Sequence, residues 1–232
     1  MLFLRQLLAD FLFLFFPATC QACGESLVSG EHSICSGCLY DLPVTDFQLD
    51  PQNRVARIFW GRVPCSAAMA MMRFSKGSKV QRLIHSLKYR SQFALGLRLG
   101  NLLGERLRDV RPYQDCDLIL PVPLHPRQER KRGYNQSAGI AKGIAQVTGM
   151  PVNSSALIRQ TSTRSQTRKN RYERFENMLS VFAVAHPEAV QDKNILLVDD
   201  VVTTGATLEA CAQLLLLAGA KQVTIAVLAF AE

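Results

Sequence analysis

The sequence predicts an α/β protein: a mostly parallel sheet with flanking helices, behind a small N-terminal four-cysteine ribbon. Three observations predict it. From about residue 66, short apolar runs alternate with segments of helical spacing. The strongest apolar run, ILLV, leads into two adjacent carboxylates, Asp199 and Asp200, and then into a turn, TTGAT, that opens a helix-like stretch. Upstream, two C-x-x-C pairs, Cys20/Cys23 and Cys35/Cys38, are separated by eleven residues (24–34).

Three regions follow along the chain. Residues 1–45 hold a helix and the cysteine pairs, 46–65 read as a linker into a first strand, and 66–232 form the α/β domain. The opening MLFLRQLLADFLFLFFP resembles a signal peptide or a membrane span at first sight. Arg5 and Asp10 interrupt it, and its longest unbroken apolar run is Phe11 to Phe16, far short of the roughly 20 residues a span needs. No small-x-small cleavage site stands out after it. It reads as an amphipathic helix stopped by Pro17, packed on the protein or a partner; a peripheral membrane contact is the alternative.

Residues 66–74 form the first strand. Helices at 79–88 and 93–108 carry the stripe Leu83, Leu87, Leu95, Leu99, Leu102 and Leu103. DLILPV at 117–122 is a short buried strand. A helix at 137–148 ends at Gly149, with Pro151 beyond. Residues 156–160 are a short strand and 164–177 a charged, mobile segment. The strand at 194–198 is followed by a helix at 206–218, closed by Gly219, and a last strand at 222–230.

Composition narrows the function. Hydrophobic residues make up 48%, enough for an ordinary core, and net charge is +8. Between Pro121 and Ser180 stand eleven Lys/Arg and three Glu, which accounts for the whole surplus. One basic segment of this kind implies an anionic partner, phosphate groups or nucleic acid, rather than a uniformly solvated face. An odd cysteine count, seven, with no secretory signature, points to a reducing, cytoplasmic location.

In an open parallel sheet, ligands bind beyond the carboxyl ends of the strands. Asp199 and Asp200 mark such an end. The turn after them enters a helix whose first N–H groups lack internal partners and, with the helix dipole, make an anion site. Gly205 permits close backbone approach, Ala206 begins the helix, and Thr203, Thr204 and Thr207 add hydroxyls. Each hydrogen bond to a charged group is worth about 1.5–3 kcal/mol, so a few anchor one phosphate. The carboxylates repel that phosphate and need donors instead, which sugar hydroxyls supply. The pair and the turn together suit a ribose 5-phosphate. No G-x-x-x-x-G-K-[ST] and no strand-borne G-x-G-x-x-G occurs. A phospho-receiver domain is excluded too, since no Asp follows Val201.

ILLVDDVVTTGAT resembles the phosphoribosyl-pyrophosphate (PRPP) motif of type I phosphoribosyltransferases. The likeness extends to the ComF/GntX family of phosphoribosyltransferase-like proteins. LPVPLHPRQERKRGYNQSAGIA (120–141) is similar to its pyrophosphate-side segment. LIHSLKYR (83–90) and RSQTRKNRYERFENM (164–178) resemble internal motifs, and the double C-x-x-C resembles its zinc-ribbon start. The resemblance implies a type I phosphoribosyltransferase fold, PRPP as ligand, Mg²⁺ bound with it, and Asp199 and Asp200 as the catalytic acids. Loss of pyrophosphate calls for positive charge on the leaving oxygens, which Arg127, Arg130, Lys131 and Arg132 are placed to supply. Arg164, Arg168 and Arg171 lie where the family has a flexible loop that excludes water; a plain surface helix is the alternative.

Four thiolates at this spacing suit one tetrahedral Zn²⁺, with Gly24 and Gly37 easing the knuckle turns, although the spacer is shorter than the commonest ribbon pattern. The alternatives are four free thiols or a redox pair. Metal binding would contribute about 10–16 kcal/mol to folding so small a module. With four cysteines present, His32 is not expected as a ligand. His125 is either a ligand contact or a turn histidine.

Two functions compete. The first is phosphoribosyl transfer from PRPP to an unidentified acceptor, a nucleobase by analogy, with the ribbon in place of the base-selecting hood and a role in DNA uptake or utilisation. The second is an inactive PRPP fold binding single-stranded DNA or DNA-uptake proteins, in which Tyr89, Tyr134, Tyr172 and Phe175 among Arg/Lys would stack bases. No transmembrane segment is expected.

Overall fold

The computed structural model describes residues 18–89, 92–160 and 181–231. Its centre is a four-stranded, all-parallel sheet in the order β1-β6-β5-β2. The strands are β1 (Ala67–Phe74), β2 (Leu118–Pro121), β5 (Asn194–Val202) and β6 (Gln222–Ala231). The short strands β3 (Leu157–Arg159) and β4 (Phe182–Val184) form an antiparallel pair of their own.

Each central strand is apolar on both sides because helices cover both faces. On one face Met69, Met71, Leu196, Val198 and Leu228 pack under α3 (Lys79–Tyr89), α4 (Phe93–Leu107) and α6 (Gln136–Thr148). Cys20, Ala22, Leu27, Ile34, Cys38 and Leu42 of the ribbon join this same core, and a short helix, α1 (Ser36–Tyr40), carries the last cysteine. On the other face Ala68, Ala70, Leu120, Leu197, Ile225 and Val227 meet α2 (Arg54–Phe59) and α7 (Ala206–Leu217). Among the described residues, no helix is long and apolar enough to cross a membrane.

The segment 46–65, read as a linker, also carries α2. Its cap explains it: Asn53 Oδ1 accepts from the N–H groups of Val55 and Ala56, while its Nδ2 donates to Phe47, Asp50 and Ala68 carbonyls. Val55, Ala56 and Phe59 are buried against the sheet. A further helix, α5 (Pro126–Arg132), follows β2 where only a cation cluster was read. Proline sits in its first turn and Gly133, at φ 81°, closes it. The strand expected at 194–198 runs on to Val202, because Asp199 and Val201 keep their pairing with Val227 and Ala229 of β6. The hydrophobic pattern stopped at the acids; the ladder does not.

The most intimate contact is α4 with α6, where the backbones nearly touch. A methyl group on Gly100 would lie 2.2 Å from the Ile140 carbonyl oxygen, and one on Gly143 would lie 2.3 Å from that of Leu97. Gly139 is looser, with its nearest neighbours at 3.5 Å. Gly100→Ala should therefore destabilise the protein by about 1–3 kcal/mol, the cost of overpacking. Gly139→Ala should be neutral or slightly stabilising, since alanine favours a helix over glycine by about 1 kcal/mol. Denaturant unfolding of the two variants checks this pair.

Candidate functional site

The two acids lie inside β5, and both meet helices that cover the same face: Asp200 reaches α3 and Asp199 reaches α6. Asp200, 8% exposed, meets Lys88 of α3, with Nζ 2.9 Å from Oδ2. Half-buried Asp199 accepts from the Ser137 hydroxyl at 2.8 Å and from the Asp200 N–H at 2.8 Å. Ser137 stands in the first turn of α6, placed there by its cap: Asn135 Oδ1 accepts from Ser137 N–H and its Nδ2 donates to the Val122 carbonyl. Neither Lys88 nor Ser137 was singled out from the sequence. The only local signal was their place in the two quoted motifs.

Burial, and next the charge of Asp200, push the Asp199 carboxyl up to about 7, against the Ser137 hydroxyl, the Asp200 N–H and Lys88, which favour the ionised form. Tyr134 ties the elements together by donating from its hydroxyl to the Leu87 carbonyl at 2.7 Å. Burial pushes that phenol up to about 12, so it remains a donor at neutral pH.

Directly beyond β5 the turn closes round a cavity of about 60 Å³, lined by Asp199 and by residues 201–208. Thr203, Thr204, Gly205, Ala206 and Thr207 all line it, in the same small space as Asp199. Gly205 caps α7 at φ 76°. Two constraints meet there: the left-handed backbone favours glycine, and a side chain would lie 2.6 Å from Ile58 Cγ2 and 3.1 Å from Phe59 Cε1. Helix α2 therefore forms the floor of the turn. From the same segment, Arg62 Nη1 donates to the Thr204 carbonyl at 2.8 Å, a contact sequence reasoning missed.

The cation cluster divides. Arg132 Nη1 reaches inward to Gln136 Oε1 at 2.8 Å, one residue from Ser137. Arg127, Arg130 and Lys131 are exposed on α5. His125 caps that helix, its Nδ1 accepting from Arg127 N–H at 3.1 Å, which gives it a turn role. Arg164, Arg168, Arg171, Tyr172, Phe175, the side chain of Tyr89 and the helix expected before Pro17 lie outside the described residues.

Ligand atoms of Cys20, Cys23, Cys35 and Cys38 all lie within 4.8 Å of one another. Cys23 and Cys35 sulfurs are 3.9 Å apart, close to the edge of about 3.8 Å that a tetrahedron of metal–sulfur bonds of about 2.3 Å requires. Backbone N–H groups of Ala22 and Cys35 donate to Cys20 Sγ, and that of Cys38 to Cys35 Sγ. Burial raises the Cys20 thiol, yet N–H donors from Cys35, Cys23 and Ala22 outweigh it and lower it to about 6. Burial and the neighbouring thiols push Cys38 the other way, so it is the spacing of the four sulfurs rather than a shared acidity that can hold one metal ion. His32 pairs with Ile34 in an isolated bridge and is not in this group.

Comparison with known proteins adds a lineage to this geometry. Residues 138–232 match the phosphoribosyl transferase domain. The chain is 31% identical to the DNA utilization protein YhgH of Escherichia coli (strain K12) over 220 residues, 90% of this chain and 95% of that one. It is 29% identical to competence protein F of Haemophilus influenzae, over 62% of this chain and 64% of that one. It is 30% identical to competence protein ComFC of Streptococcus pneumoniae, over 65% of this chain and 63% of that one. Among solved structures, the glutamine PRPP amidotransferase of Bacillus subtilis covers 62% of this chain and 30% of that one, at 20% identity and a TM-score of 0.45.

Two outcomes follow from the site. Asp199 holds its proton in the folded chain between its ordinary value near 3.8 and about 7, while the unfolded chain has released it. The stability it contributes is full below that window and is lost as pH rises through it. Melting temperatures taken from pH 5 to 8 should therefore fall less in Asp199→Asn than in the parent. Cys20→Ser should lower the metal content, read by elemental analysis of the purified protein, and lower the melting temperature with it.

Proposed function

The chain belongs to the ComF family of phosphoribosyltransferase-like proteins, and from that premise we propose that it binds PRPP and transfers its phosphoribosyl group to an acceptor. The observation that carries this reading is the shared cavity, in which Asp199 lines the same space as the anion-holding turn 203–207. Backbone N–H groups at the start of α7 and the threonine hydroxyls hold the 5-phosphate. The carboxylates of Asp199 and Asp200 accept from the ribose hydroxyls. Their oxygens are hard ligands of the kind Mg²⁺ takes, and Mg²⁺ bound there with the diphosphate would neutralise charge on the leaving group.

Attack on the anomeric carbon passes through an oxocarbenium-like state, and the departing pyrophosphate carries the bonding pair. Arg132, with Arg127, Arg130 and Lys131 on α5, stabilises the charge that develops there. Lys88, paired with Asp200, gives up that carboxylate as the sugar enters. Arg164, Arg168 and Arg171 complete the site as a water-excluding loop. Asp199 acts in its ionised form, so PRPP affinity rises between pH 6 and pH 8.

The four-cysteine cluster takes zinc as a structural ion, since its donor set and sulfur spacing suit a closed tetrahedral site. The unpaired thiols of Cys116 and Cys211 fit a reducing cytoplasm. The names of the relatives, DNA utilization and competence proteins, favour a place in DNA uptake or use. A nucleobase is the acceptor class that fits such a setting. The same names support a second reading, an inactive PRPP fold that binds single-stranded DNA or uptake proteins.

Calorimetric titration of Mg²⁺–PRPP into the protein separates them. Binding in the parent, lost in Asp199→Asn/Asp200→Asn, is the expected result, and base-dependent release of pyrophosphate should follow. A parent that ignores PRPP yet binds single-stranded DNA in a steeply salt-dependent way would replace the first reading with the second.

A further inference from the structure

The helix that must receive a phosphate carries an acid in its own first turn. Glu209 of α7 is 8% exposed and lies one turn from Gly205, its N–H donating to the Gly205 carbonyl. A buried carboxylate there would repel an incoming phosphate and oppose the N-terminal dipole field that attracts it. It does not stand alone. Arg62 Nη2 pairs with Glu209 Oε2. The same guanidinium donates through Nη1 to the carbonyls of Thr204 at 2.8 Å and Ile58 at 3.0 Å. One turn further along α7, Gln213 Nε2 donates to the Arg62 carbonyl at 3.1 Å.

We propose that Arg62 is a positioning residue for the phosphate site: its fork neutralises Glu209 and turns the Thr204 carbonyl outward, leaving the turn's N–H groups for the ligand. This rests on the PRPP reading above for the identity of the ligand, but not for the brace itself. Planarity matters because three acceptors, Glu209, Thr204 and Ile58, are served by one rigid group. The floor of the turn belongs to the same device. Ile58 and Phe59 fill the space a Gly205 side chain would need, so residues 58–62 support the turn by shape and by charge together. The segment read as a linker is, on this view, part of the binding site.

The test uses four full-length proteins: the parent, Arg62→Ala, Arg62→Ala/Glu209→Gln and Arg62→Lys. Each is first checked for an unchanged circular dichroism spectrum and metal content. Mg²⁺–PRPP is titrated into each by calorimetry. Arg62→Ala should weaken binding roughly tenfold, the scale of one lost charge-assisted interaction. Removing the acid left unpaired, by Glu209→Gln in that background, should restore most of the loss, which a purely structural role would not do. Arg62→Lys, which keeps the charge and loses the fork, should lie between. Arg62→Ala binding like the parent, or the double variant binding as weakly as the single, overturns the proposal. Hydrogen exchange of the 203–209 amides in ligand-free protein decides the brace separately. Faster exchange in Arg62→Ala supports it and unchanged exchange overturns it, even where the parent fails to bind PRPP and the functional reading itself falls.

Discussion

The bare-backbone contact between α4 and α6 sets where everything else in the site can stand. With Gly100 and Gly143 facing carbonyl oxygens across the interface, α6 lies as deep as a helix can against its neighbour. Its first turn then reaches the sheet, and Ser137 meets Asp199. A bulkier interface would lift α6 away and strand that carboxylate in a half-buried position without its hydroxyl donor. The same approach holds the loop before α6 close enough for Tyr134 to hook the Leu87 carbonyl, which steadies the end of α3 from which Lys88 projects.

Two like charges on consecutive residues of a packed strand are costly, and the fold gives the two carboxylates different partners. Asp200 pairs with the Lys88 ammonium, while Asp199 has the Ser137 hydroxyl and the Asp200 N–H as its close donors and is pushed up by burial. Asp199 is thus held near its titration point at neutral pH, ready for a ligand that brings hydroxyl donors or a cation.

Much of this was legible in the sequence, and the rest was not for physical reasons. Long elements announce themselves through period, so β1, β6, α3, α4, α6 and α7 fall within a residue or two of expectation. Helix α2 has six residues and two arginines, too short for periodicity, and only Asn53 before Val55 signalled its start. The end of β5 was misplaced because carboxylates interrupt an apolar run but not a hydrogen-bond ladder. The turn and the cysteine quartet are local motifs and could be read directly. The side chains of Lys88, Ser137 and Arg62 act across separations of up to 147 residues, and no local pattern reports such a contact.

The sheet order has a consequence for how the chain comes into being. β6 lies between β1 and β5, yet it is the last of the three to be synthesised. While the ribosome is still at work, β1 and β5 are both complete, yet β1 lacks its neighbour and β5, with β2 on one side, lacks the other. Two apolar strand edges then wait for a third strand, and open edges of that kind invite pairing with other chains. The vulnerable moment of this protein is thus set by topology: the interval between the emergence of β5 and the insertion of β6, when helices on both faces have partners to cover but no closed sheet to cover them on.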